Sequence, residues 1–301
     1  MNRRMFFFFL FSFLLTVYLF NDLVGDWGRL SGGWDNLVVF FDESLWPPNW
    51  AVLEAQSYPV CEARFDIFCS VAWLGMLETI KIAFVATAIG FVVALPLSVL
   101  AASNLSPLAV AIPARVLLAG MRSLPAIIWA VLFVIIFGVG TLAGIVAMSF
   151  YTVGYLGKLQ FESMEGIKNA PLESGKAMGM NRAEIAWLIA IPESANHLLS
   201  HLLFMFEYNV RHGTVIGLVG AGGVGLYLDT YRKMGQYDKM VALLIVIFLV
   251  VLVIDFVSMA LRSTVNEEGD VERPTWSSIF LPAAISSALH PTPMNATNEE
   301  E

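Results

Sequence analysis

Charge is scarce in this sequence of 301 residues. Asp, Glu, Lys and Arg make up 14% of it and apolar residues 57%, whereas a soluble domain carries about 25% charged residues. That balance excludes an ordinary soluble domain and points to an integral membrane protein. Its apolar runs are also far too long for a chain that merely lies on a membrane surface. There is no basic patch, which argues against nucleic acid as a partner. No GxxxxGK[ST] sequence occurs, so any ATP would have to be hydrolysed by another chain. The four histidines are too poorly grouped for a membrane-embedded enzyme, which would need several metal ligands or a nucleophile with its base. Only two cysteines are present, Cys61 and Cys69. They form a disulfide if their segment is extracytoplasmic, or else stay as thiols with Cys69 packed at a helix start.

The charge that exists is unevenly spread. Residues 21–72 hold eight acids and two bases, residues 266–301 seven acids and one base, and the remainder ten acids against fourteen bases. A membrane-crossing helix needs about 20 mainly apolar residues. Six runs predict spans: 5–20, 72–102, 107–139, 142–157, 195–219 and 240–261. Pro96 interrupts the second, and the third contains Arg115, Arg122 and a possible break at Pro125. Arg3 and Arg4 precede the first run and no small-x-small cleavage site follows it, which predicts a retained anchor with a cytoplasmic N-terminus.

The chain thus divides into an anchor at 1–24, an acidic, Trp-rich periplasmic segment at 25–72, a transmembrane core at 73–262 and an acidic cytoplasmic tail at 263–301. Within the core, a polar loop spans 158–193. Six spans put this loop and the C-terminus in the cytoplasm, and Lys158, Lys168, Lys176, Arg182 and Arg262 agree with the positive-inside rule. Arg232, Lys233 and Lys239 lie on the other side, offset by Asp229 and Asp238. The tail has a disordered composition, with one stretch, 276–289, apolar enough for an interfacial helix.

Within the polar loop, Pro171 is expected to break the chain before a short helix. Glu173 would lie in the first turn of that helix, where an acid suits the dipole. Ser174 and Gly175 follow, and Ala177 and Met178 offer a small apolar face. Gly179 suits the position after the helix end, where positive φ costs little. Asn181 with Glu184 three residues on predicts a capping box for a second helix. Its Ile185, Leu188 and Ile189 would lie on the membrane surface, and Pro192 would end it and start the next span.

Glu173, Gly179, Ile189 and Pro192 stand at offsets 0, 6, 16 and 19. That spacing resembles the cytoplasmic coupling loop of ABC-importer permeases. Ser174-Gly175 stand where two alanines are usual, and Ile191 replaces a leucine. Further segments in order are Arg122-Ser-Leu-Pro125 with Trp129-Ala130, Gly154-Tyr-Leu-Gly-Lys158, Glu207-Tyr-Asn-Val-Arg211 and Gly217-Leu-Val-Gly-Ala-Gly-Gly-Val-Gly225. Together they resemble the phosphonate permease family over about residues 74–262. The resemblance implies an all-α membrane protein of the type I importer permease fold, resident in a bacterial inner membrane. It implies no cofactor on this chain. Two permease copies would form the path, two ATPase subunits with ATP and Mg would bind the coupling loops, and a periplasmic binding protein would deliver a phosphorus oxyanion.

Several residues are candidates for the path. Glu207 and Arg211 share a helix face within a polar stripe of Asn196, Ser200, Glu207, Arg211 and Thr214. The pair either lines the path or spares the arginine from lipid. Arg122 is a second cation candidate. Gly217, Gly220, Gly222, Gly223 and Gly225 make a poor continuous helix. They predict either an unwound hinge near the periplasmic gate, with amides open to an anion, or close helix packing. His197 and His201 with Glu193 have zinc-like spacing but lack a third strong ligand, and His212 is too far along the helix to join them. Asp255, alone in the last span, is expected to pair with a neighbouring helix.

Overall fold

A computed structural model describes residues 3–25, 27–56 and 65–265. Cys61 and the whole tail from 266, with its stretch at 276–289, lie outside the described residues. Among the described residues there is no named strand, only an isolated bridge between Ala55 and Ser70.

The first helix, α1 (Arg3–Val24), is apolar along its length, and none of its apolar window is buried. After α2 (Gly28–Phe40), the segment up to Gln56 turns back onto the bundle. Asn49 is the fastening point: its side-chain amide donates to the Asp238 carboxylate at 2.9 Å and its backbone N–H to the Asp238 carbonyl at 3.1 Å. Val52 is buried in a cluster with Ala72, Met76, Val224 and Leu243. Cys69 is buried and is not a free thiol.

Two long helices, α3 (Val71–Ala101) and α6 (Thr141–Glu165), form the centre. Small residues let them approach closely, as is usual where helices pack in lipid. A Cβ on Gly90 would meet the Thr152 side chain at 2.3 Å. Inside this contact Asn209, buried, donates to the hydroxyls of Thr87 at 2.9 Å and Thr152 at 3.0 Å. One amide thereby ties three helices in a setting where water is unavailable to replace it.

Three spans differ from expectation. Helix α3 continues through Pro96. The single lost bond, about 3 kcal/mol, is outweighed by packing of Ala83, Ala86, Ala94 and Ala101 in the core. The run 107–139 is two helices, α4 (Leu108–Ser123) and α5 (Ala126–Phe137), bent by 85°. Leu124 is extended, with φ −102° and ψ 141°, because the following proline disfavours the helical region. The Trp129 indole donates to the Met121 carbonyl at 3.0 Å and closes the corner. The third difference is α6, which extends to Glu165. Lys158 and Glu162 pair on its surface at 3.4 Å, so the first eight residues assigned to the polar loop are helical.

Helices α7 (Asn169–Ala177), α8 (Arg182–Ile185) and α9 (Ile191–Glu193) lead into α10 (Ala195–Ile216). After a glycine-rich break, α11 (Val224–Lys233) and α12 (Tyr237–Val265) follow. Among the described residues four helices are long and apolar enough to cross a membrane, or up to six if each bent pair is one span.

Candidate functional site

At one end of the bundle, α7 and α8 build the polar loop. Asn169, not Glu173, begins α7, so Pro171 sits in the first turn, where its missing N–H costs nothing, and Glu173 follows that turn. The α7 end is a full Schellman arrangement. Gly179 has φ +81°, its N–H donates to the Lys176 carbonyl at 3.0 Å, and the Met180 N–H reaches the Gly175 carbonyl at 3.1 Å. The capping box of Asn181 and Glu184 is present, with bonds of 2.9 and 2.7 Å.

Ile185 and Ile189 do not lie on the membrane surface as a face with Leu188. Ile185 is buried, and both pack on α7 at Gly175, where an added Cβ would meet Ile189 Cδ1 at 2.5 Å. Gly175, the departure from the usual alanine, is what lets the two short helices close. Trp187, Leu188 and Met178 are the exposed apolar residues here. Pro192 does not end the second helix. The chain runs from Arg182 to Ile216 as one helical path, widened to a π turn over Ala186–Ala190 and interrupted only at Ser194.

This loop is wired to the bundle. One Glu165 carboxylate oxygen accepts from the Ser103 N–H and hydroxyl at 2.6 Å each and pairs with Arg115, whose Nε donates to the Ala101 carbonyl at 2.8 Å. Asn104 donates to the Met164 carbonyl at 2.8 Å. The C-terminal ends of α3 and α6 and the middle of α4 therefore meet in one node. A cavity of about 330 Å³ separates residues 103–106 from Glu173, Lys176 and Arg182.

Glu207 and Arg211 pair at 3.0 Å, as their spacing predicts, but within a larger set. Arg211 also reaches Asp255 at 3.1 Å, and Arg262 reaches Glu207 at 2.8 Å. Two cations and two carboxylates thus cancel between α10 and α12. Of the rest of the stripe, Asn196 is exposed, Ser200 is half-buried and Thr214 bonds back to the Arg211 carbonyl at 2.7 Å.

The neighbouring face of α10 is different. Tyr208 and His212 stack at 3.7 Å between ring centres, and Tyr208 lies nearly parallel to Tyr151 and Tyr155 of α6 at 6.0 Å from each. The hydroxyls of Tyr151 and Tyr208 are 3.1 Å apart. With Arg122, Ser123, Pro125, Ile127, Val215 and Ile216, the rings of Tyr151, Tyr208 and His212 line a cavity of about 440 Å³ at the α4–α5 corner. Gly154 makes this possible, since a Cβ there would meet the Arg122 backbone nitrogen at 2.9 Å. The sequence showed Tyr151 with Tyr155 and Tyr208 with His212 as pairs one turn apart, but not that the two faces meet.

The five glycines form the break between α10 and α11. Gly220, Gly222 and Gly223 have φ of +87°, +81° and +74°. All five are buried, and a Cβ on Gly225 would meet the Thr214 carbonyl at 2.0 Å. The Val224 N–H donates to the Thr79 hydroxyl at 2.9 Å. The segment is both unwound and closely packed, and the amides of Gly220, Ala221 and Val224 donate within the protein. On another wall, His197, His201, Glu162, Glu193 and Lys168 line a cavity of about 500 Å³, where His201 meets the Ser163 hydroxyl at 3.0 Å. Among the described residues no three potential metal ligands gather.

Residues 94–266 match the family described as "Binding-protein-dependent transport system inner membrane component". The phosphate-import permease protein PhnE of Mycolicibacterium smegmatis is 36% identical over 218 residues, 72% of this chain and 38% of that protein. The match thus spans well under half of that relative's length. The putative phosphite transport system permease protein HtxC of Stutzerimonas stutzeri is 34% identical over 72% of this chain and 75% of its own. Among solved structures, an inward-facing form of the MetNI methionine ABC transporter aligns with a TM-score of 0.58 at 24% identity, over 65% of this chain and 97% of that one. This last likeness concerns the fold.

Proposed function

The chain belongs to the inner-membrane components of binding-protein-dependent transport systems, and on that basis we propose that it is the permease subunit of an ATP-driven importer of phosphonate or a related phosphorus oxyanion, phosphite and phosphate esters included. The observation that carries this reading is the α7–α8 element, a polar helix pair held rigid by its Schellman turn and capping box. Such a pair suits a partner that pushes on it, because both helix ends are already satisfied within the loop. Glu173, Ser174, Gly175, Ala177, Met178, Gly179, Ile189 and Pro192 would be the coupling segment, docked to an ATPase subunit that holds ATP and Mg.

In this proposal two copies enclose the path, a binding protein delivers the solute from outside, and both termini are cytoplasmic. Pairing of Cys61 with Cys69 would then lie on the oxidising side. The Glu207, Arg211, Asp255 and Arg262 set is assigned to holding α10 against α12, since its charges already cancel. The glycine break is a hinge at the outer end. The names of the relatives, which refer to phosphate and phosphite, support the cargo class, as does a cationic group on a cavity wall.

Reconstitution tests the reading. Proteoliposomes holding this chain, its ATPase and its binding protein should take up methylphosphonate, phosphite or phosphate only with ATP and all three components. Uptake by this chain alone would overturn it, as would a complete complex that carries none of the three.

A further inference from the structure

Arg122 differs from the other arginines of the helical core. Arg115, Arg211, Arg232 and Arg262 each have a carboxylate within ion-pair distance. Arg122 has no such partner among the described residues, although it sits at a helix break inside an apolar run. Its place in the last turn of α4 suits the helix dipole, but a few tenths of a kcal/mol to about 1 from that source does not account for an exposed, unpaired cation within an apolar run. A group in that position needs water or an anion before it.

The opposite wall of the same cavity supplies neutral donors. When one of the Tyr151 and Tyr208 hydroxyls donates to the other across 3.1 Å, one phenolic proton is used and one remains free. The His212 Nδ1–H donates to the Tyr208 carbonyl at 3.0 Å, so in the neutral ring Nε2 is an acceptor, able to accept from the P–OH of a singly protonated oxyanion. The free donor on this wall is the tyrosine hydroxyl. The stacked rings cannot turn away without losing their contacts, so the donors are held in place beforehand. Leu124, Pro125, Ala126, Ile127, Val215 and Ile216 make the rest of the lining apolar apart from Ser123, whose hydroxyl donates to the Gly120 carbonyl at 2.8 Å. Tyr151 lies ten residues into α6, about 15 Å from its start, which is close to mid-helix.

We infer that this cavity is a transit site for a small phosphorus oxyanion, held by Arg122 on the corner of α4 and α5 and by the Tyr151, Tyr208 and His212 wall, with any non-oxygen substituent turned towards Ile127 and Val215. The inference rests on the importer reading above and names the residues that contact its cargo. It moves the ion contact from the face of α10 bearing Glu207 and Arg211 to the adjoining face. A site of one unpaired cation and one or two hydroxyls is weak enough to release what it binds, as transit requires.

The test uses the full reconstituted complex with saturating binding protein and radiolabelled methylphosphonate. Arg122→Gln and Tyr208→Phe should each slow uptake, the first by about tenfold or more, the scale of one hydrogen bond to a charged group. Arg122→Lys should restore most of the loss. The double variant should lose less than the product of the two single effects, because both groups hold the same ion. Co-purification with the ATPase should match wild type in every case. Uptake unchanged in both single variants overturns the site, as does multiplicative loss in the double variant. If Arg122→Gln fails to assemble, Tyr208→Phe and Tyr151→Phe, which keep the ring stack, decide alone. A wild-type complex that imports no phosphorus oxyanion removes the importer reading itself. Normal wild-type uptake with indifferent variants removes only the transit site.

Discussion

Arg122 and Arg211 look alike in sequence: each is an arginine inside a long apolar run. Their environments separate them. Arg211 touches two carboxylates on two helices, so Arg211→Ala leaves Asp255 without its cation. The expected result is a loss of about 1–3 kcal/mol of stability, seen as a lower melting temperature of the detergent-solubilised complex. Uptake per assembled complex should stay close to wild type. A stable Arg211→Ala complex with abolished uptake would return Arg211 to the path. Gly175 makes a similar point on a smaller scale, because its lack of a side chain is explained only by Ile189, fourteen residues away in sequence and against it in space.

Among the elements, the coupling pair was the most legible. Gly179, Asn181 and Glu184 act through bonds within a few residues, so local chemistry dictates the geometry. Replacing Gly179 with Val puts a β-branched residue at φ +81°, a strain of roughly 1–3 kcal/mol. The expectation is a reoriented α7 with strongly reduced uptake and weakened cross-linking of Met178→Cys to the ATPase. Normal coupled transport in that variant would count heavily against the loop's assignment. The bend between α4 and α5 was half legible: Pro125 announced a break, while its 85° angle depends on Trp129 reaching back to Met121.

Across the whole molecule, the coupling loop and the cavity are joined by covalent and packed routes. Glu165 gathers the ends of α3 and α6 and the middle of α4, while α4 carries Arg122 two turns further on, in its last turn. Displacement of the loop can therefore tilt α4 and shift the cavity wall. Glu165→Gln keeps the shape but removes the charge that holds Arg115. It should lower the ratio of solute imported to ATP hydrolysed by about threefold or more, within the range of one ordinary hydrogen bond. An unchanged ratio would show that the node is only a brace.

The sequence by itself determined that the chain spans a membrane, where its apolar runs lie, and how its polar loop turns at Gly179 and Asn181, since these follow from apolar length and capping chemistry. It also carried the pairing of Glu207 with Arg211, a matter of one helical turn. Tertiary structure decided that Arg122 has no carboxylate partner among the described residues, that Tyr151 meets Tyr208, and that the glycine break is closely packed. Each of these depends on one helix face meeting another. Helix periodicity orders residues around a single axis, whereas the rotation of one axis against its neighbour is set by the small residues where they cross, as at Gly90, Gly154 and Gly157.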